Sequence, residues 1–208
     1  MERREDLPTP RWDEVQGAAT WVHRGLARVA LGHLDGTLAD FYDARHAGLH
    51  SPEAAVYEWL ASRLEDRCVR ATRMEVRRVL EEAITARPDA VVEAFAETRD
   101  LFTPDALRLT KEALDALREQ ASTSTAATLA AVAVGLRPSR ADLERARAEV
   151  ERDAETGKRP LGRTLAFQAI LGWGLGDIRA FSEAREAFRR LAWRPWALDR
   201  LLSELPPR

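Results

Sequence analysis

The chain has 208 residues, 45% of them hydrophobic and 32% charged, with 32 Lys and Arg against 34 Asp and Glu. That balance excludes an intrinsically disordered or collagenous chain, and a net charge of −2 gives no general attraction to nucleic acid. Cys68 is the only cysteine, so neither an intrachain disulfide nor a cysteine-based zinc cluster can form, and a reducing, cytoplasmic setting is expected. The longest uncharged apolar run, residues 126–136, falls short of the ~20 residues that a membrane span requires.

Residues 1–8 carry charges of both signs, lack the apolar stretch of a secretory signal and are expected to be disordered. Valine and isoleucine are few, alanine and leucine are many, and no stretch alternates with period two. The chain is therefore read as one all-α domain of antiparallel helical hairpins. Trp12, Val15, Ala19, Val22, Leu26 and Val29 recur at spacings of three and four, which is one apolar stripe of a helix. A second helix with Leu38, Phe41 and Ala44 completes a first hairpin over residues 9–48.

Central helices occupy residues 51–121, where Ser51-Pro52 has the form of a helix start. Residues 51–86 are read as one long charged helix limited by Pro88, with no glycine between Gly48 and Gly135. Thr103-Pro104 opens another helix, and Ser122 to Thr125 weakens the helical pattern. Later hairpins are expected over residues 126–152 and 161–192, with Ser139-x-x-Asp142 as a capping box and an exposed loop at 155–160. Residues 195–205, with Leu198, Leu201, Leu202 and Leu205 on one face, read as a helix capping the stack.

One internal repeat stands out. Leu31-Gly32 followed by Phe41, Ala44-Arg45 and Ala47 lies over Leu171-Gly172 followed by Phe181, Ala184-Arg185 and Ala187, with the same internal spacing. A looser copy has Val134-Gly135, Leu143 and Ala146-Arg147. A small residue late in one helix lets the next cross closely, an alanine in the second permits the reciprocal approach, and a large apolar residue fills the gap. This pattern resembles the tetratricopeptide repeat, in which a leucine-glycine pair precedes an alanine, an aromatic and a proline. Leu171-Gly172, Leu175, Ala184, Phe188 and Pro195 follow it best, whereas Gly48 stands where the first copy should have its aromatic. The resemblance covers about half of the chain and implies a short superhelix; an irregular helical bundle is the alternative.

Candidate chemistry is sparse. Asp43, His46 and His50 form the only polar cluster with metal-ligand spacing, but no second half-site follows in the sequence. Residues 33–40, His-Leu-Asp-Gly-Thr-Leu-Ala-Asp, resemble the first motif of haloacid dehalogenase phosphatases but place histidine at the nucleophile position within a helical pattern. Arg63, Arg67, Arg70, Arg73 and Arg77 recur at helical spacing as a basic stripe, interleaved with carboxylates as on a solvated helix face. The six tryptophans are read mainly as core, with Trp21, Trp59 and Trp173 as candidate recognition residues.

These features lead to a non-catalytic cytoplasmic adaptor that needs no cofactor and binds a protein or peptide. Resemblance to tetratricopeptide proteins places the first helix of each hairpin on the binding face and so nominates Val29, His33, Gln168, Ala169 and Trp173. Nucleic acid at the arginine stripe is the weaker reading. A helical bundle holding a small ligand or metal through Asp43, His46 and His50, and acting as an enzyme, is the alternative.

Overall fold

Alternation between helices that are apolar on nearly every side and helices with a single apolar face decides how this chain packs. The computed structural model describes residues 24–25, 37–47, 52–64 and 70–206. Among them are ten α-helices: α1 (Thr37–His46), α2 (Pro52–Leu64), α3 (Arg70–Ala86), α4 (Pro88–Thr98), α5 (Pro104–Arg118), α6 (Ser124–Ala133), α7 (Arg140–Glu155), α8 (Leu161–Leu175), α9 (Ile178–Arg189) and α10 (Trp196–Glu204). A 3-10 turn at Arg99–Leu101 joins α4 to α5, and no strand occurs among the described residues.

Helices α2, α4, α6 and α8 form an inner row, each packed on the next. Every residue of α6 is buried, and residues 54–62 of α2 are buried without a break. A helix apolar on all sides can only sit between others. Helices α3, α5, α7 and α9 flank that row with one apolar face each, such as Ala106, Thr110, Ala113, Leu114 and Leu117 on α5. The all-α architecture expected from composition is present, and one continuous core runs from Phe41 to Leu205.

Several polar groups tie the helices together. Trp59 Nε1 donates to Thr110 Oγ1 at 2.9 Å, tying α2 to α5, and Thr123 Oγ1 donates to the Leu117 carbonyl at 2.6 Å. Arg159 joins the end of α7 to α4 through Asp153 and Asp89 at 3.2 and 3.1 Å, while Arg163 reaches Glu93 at 2.6 Å.

Two expectations change. Residues 51–86 are two helices, α2 and α3, packed on each other, because one helix of that length would leave the buried surface of α2 without partners. Gly135 is a helix terminator at φ +85°, with nothing within 4 Å of a Cβ and the Leu136 N–H bonded to the Ala131 carbonyl at 2.9 Å. It therefore does not permit a close crossing as Gly172 does. Helix α10 packs on α4 and α8, held by ion pairs of Arg99 with Glu204 and of Arg200 with Asp100. The Ser139 cap does form, its Oγ accepting from the Asp142 N–H at 3.2 Å. No helix among the described residues is long and apolar enough to cross a membrane.

Candidate functional site

Where α7 lies beside α8 and α9, the outer surface is not closed. Three clefts follow one another there, of about 350, 490 and 300 Å³. Arg140 and Leu175 line both the first and the second, and Arg147 and Glu151 line both the second and the third, so together they make one furrow. Helical spacing explains the α7 wall, since Arg140, Glu144, Arg147 and Glu151 recur every three or four residues on one face.

The first cleft is built around a tryptophan. Val132, Leu136, Leu143, Gly174 and Leu175 surround the half-buried Trp173 ring, whose Nε1 donates to the Pro206 carbonyl at 3.1 Å. Arg137 stands exposed on its rim and forms no ion pair among the described residues, whereas Arg140 is engaged by Glu144 at 2.8 Å. The middle cleft is held by charge. Arg147 donates to Glu151 at 2.9 Å and to Asp177 at 3.0 Å, which raises the Arg147 pKa. Asp177 caps α9, and the Ala180 N–H, followed by Arg147, holds its carboxyl below the ordinary carboxylate range. The third cleft is lined by Gln168 and Leu165 of α8 and by Ala180, Glu183, Ala184 and Ala187 of α9.

Of the residues nominated from sequence, Gln168 and Trp173 are brought into this furrow. Ala169 is corrected: it is 0% exposed in the core beneath them and cannot touch a partner. Val29 and His33 lie outside the described residues. The arginine stripe is not continuous on one helix, because Arg63 belongs to α2, stacked over the Trp59 ring at 3.9 Å, and Arg77 lies on α3, paired with Glu81 at 2.8 Å. Arg67 and the side chains of Arg70 and Arg73 lie outside the description.

Asp43 and His46 are exposed on α1, where the His46 ring packs on Tyr42 with centroids 4.1 Å apart; His50 lies outside the described residues. No group of three His, Cys, Asp or Glu side chains that could hold a metal occurs among the described residues. Trp59 is buried, but Trp193 and Trp196 are 68% and 63% exposed, against their reading as core.

Sequence reasoning missed Leu136, Arg137 and Arg147. Only Arg147 had a visible signal, as the arginine that follows the repeated alanine in each copy. No protein-family model, no curated protein and no solved structure matches this chain.

Proposed function

We propose that the protein is a non-catalytic, cytoplasmic adaptor of stacked helical hairpins, related in design to tetratricopeptide repeats, that binds a segment of a partner protein in the α7–α8–α9 furrow. The observation that carries this reading is the furrow itself: three adjoining clefts that share lining residues, the first with a tryptophan wall and an arginine rim. Clefts that combine apolar surface with a few placed polar groups bind chains by enclosing one or two side chains and steering the rest. Trp173 supplies a large apolar surface, and Arg137 offers five donors to a carboxylate or carbonyl. The succession α2, α4, α6, α8 with flanking α3, α5, α7, α9 supports the repeat design. The single cysteine and the lack of a membrane-crossing helix among the described residues support the cytoplasmic setting.

Selection of peptides against the purified chain, followed by fluorescence anisotropy with the selected peptide, tests this. Trp173→Ala and Arg137→Glu should each weaken binding about tenfold or more, about 1.4 kcal/mol, with helical content unchanged. Arg137 is exposed, so its variant separates binding from folding. Affinity unchanged from the parent in both variants would remove the furrow as the site.

A further inference from the structure

Helices α7 and α9 share a register in the sequence, and the α7 face that lines the furrow, Arg140, Glu144, Arg147 and Glu151, corresponds on α9 to Ile178, Ser182, Arg185 and Arg189, none of which lines the three clefts. Leu143, Ala146, Arg147 and Val150 on α7 correspond to Phe181, Ala184, Arg185 and Phe188 on α9. Leu143, Val150, Phe181 and Phe188 are all buried, so the two helices sit on their neighbours in the same rotation. In α7 the arginine of this set reaches the following hairpin, where it meets Asp177 at 3.0 Å. In α1, where Phe41, Ala44 and Arg45 hold the same register, Arg45 also reaches forward, to Glu58 of α2 at 3.1 Å and Glu75 of α3 at 3.0 Å.

Arg185 is the third arginine of the series, and the helix that follows it among the described residues, α10, packs on α4 and α8. It forms no ion pair among the described residues, its Nε is buried without a hydrogen-bond partner, and its guanidinium lies over the Phe181 ring at 5.3 Å. Burial, and then the like charge of Arg189, pull its pKa below the ordinary arginine value. A cation partly desolvated beside another cation is in an unfavourable place unless a carboxylate arrives. Beside it on the same face stand Ile178, 53% exposed, and Ser182, where α7 has Arg140 and Glu144. The α7 face balances two arginines with two glutamates, while the α9 face carries Arg185 and Arg189 with no carboxylate of its own.

We propose that this face of α9 is a second docking surface, which takes an amphipathic helix of a partner protein that sets carboxylates against Arg185 and Arg189 and an apolar side chain against Ile178. The occupant would stand where the next hairpin of the stack would stand. A second copy whose two-fold axis passed through this face would put Arg185 and Arg189 close to themselves, which charge repulsion disfavours.

The test uses the full chain and a synthetic amphipathic helix of about 18 residues, long enough to hold its shape, with glutamates on successive turns beside a leucine stripe. A second peptide carries glutamine in place of each glutamate. Fluorescence anisotropy at low and at physiological salt should show salt-sensitive binding of the glutamate peptide, at least about tenfold weaker for the glutamine peptide and for Arg185→Glu or Arg189→Glu. Arg189 is exposed, so its variant keeps the test valid if Arg185→Glu folds poorly. Trp173→Ala should leave this binding unchanged, which separates it from the furrow. In the free chain Arg185→Met should raise Tm, whereas Arg147→Met should lower it. The proposal fails if the glutamate peptide does not bind, if the glutamine peptide binds as well, or if Arg185→Met lowers Tm as Arg147→Met does. It also fails if sedimentation shows a dimer that Arg185→Glu dissociates, since the occupant would then be a second copy.

Discussion

Gly172→Ala is the most informative single change in the stack, because one methyl group tests whether α8 and α9 are held by close crossing. A Cβ at this position would lie 2.8 Å from the Phe181 backbone nitrogen, 3.2 Å from its Cα and 3.3 Å from the Ala180 carbonyl carbon. All three are backbone atoms of α9, so no side chain can swing aside. The helices must separate by several tenths of an ångström, which loosens Phe181 and Phe188 on α8. Overpacking of this kind costs about 1–3 kcal/mol, while alanine in place of glycine returns about 1 kcal/mol of helix propensity. With rigid backbone as the obstacle, a net loss of about 1–2 kcal/mol is expected, or roughly 3–6 °C in Tm for a chain of this length. Gly174→Ala is the control. Its Cβ would meet mainly the Leu143 methyls, at 3.0 and 3.5 Å, which can turn away, so the propensity gain should prevail by about 0.5 kcal/mol. Urea unfolding of both variants, followed by circular dichroism, gives the comparison. Equal stability of Gly172→Ala and the parent would refute the close-crossing account of the hairpin.

Arg159→Met removes the link from the end of α7 to α4 and leaves Asp153, 6% exposed, with only the longer contact to Lys158; a loss of about 3 kcal/mol is expected, read as a shift in the urea midpoint. Trp59→Phe deprives the buried Thr110 hydroxyl of its partner and should cost about 2–3 kcal/mol, part of which Thr110→Val should restore in the double variant. Asp177→Asn keeps a capping side chain but loses the charge. Because the folded carboxyl titrates below its ordinary value, its stabilisation is present above about pH 4 and fades as pH falls through the folded value. The difference in Tm between parent and variant should therefore be largest near neutral pH and close under strong acid; a difference independent of pH would contradict the ion-pair assignment.

Some of this architecture was legible because it depends on local chemistry. Ser139 announced a cap, and the spacing of Gly172, Phe181 and Ala184 announced a tight hairpin. Other features depend on partners distant in sequence. Gly135 and Gly172 carry the same two-letter signature, yet one ends a helix in the left-handed conformation and the other accommodates a neighbouring backbone. The fold of α2 back onto α3 follows from what α2 must bury, not from a breaker within the described residues. Trp193 and Trp196 looked like core because tryptophan usually is, but α10 turns its Ala197, Leu198, Leu201 and Leu202 inward and leaves Trp196 outside. The furrow is assembled from α7, α8 and α9 together with the turn before α7, so Leu136 and Arg137 on that turn had no signature in the sequence.

Residue-level mapping of a bound furrow peptide on the isotope-labelled chain tests the central claim most directly. Amide shifts on addition of the selected peptide should concentrate at residues 136–151 and 168–187, with the Trp173 indole N–H among the largest. Shifts confined to α1 to α3, or none at saturating peptide, would contradict the furrow as the place where this protein meets its partner.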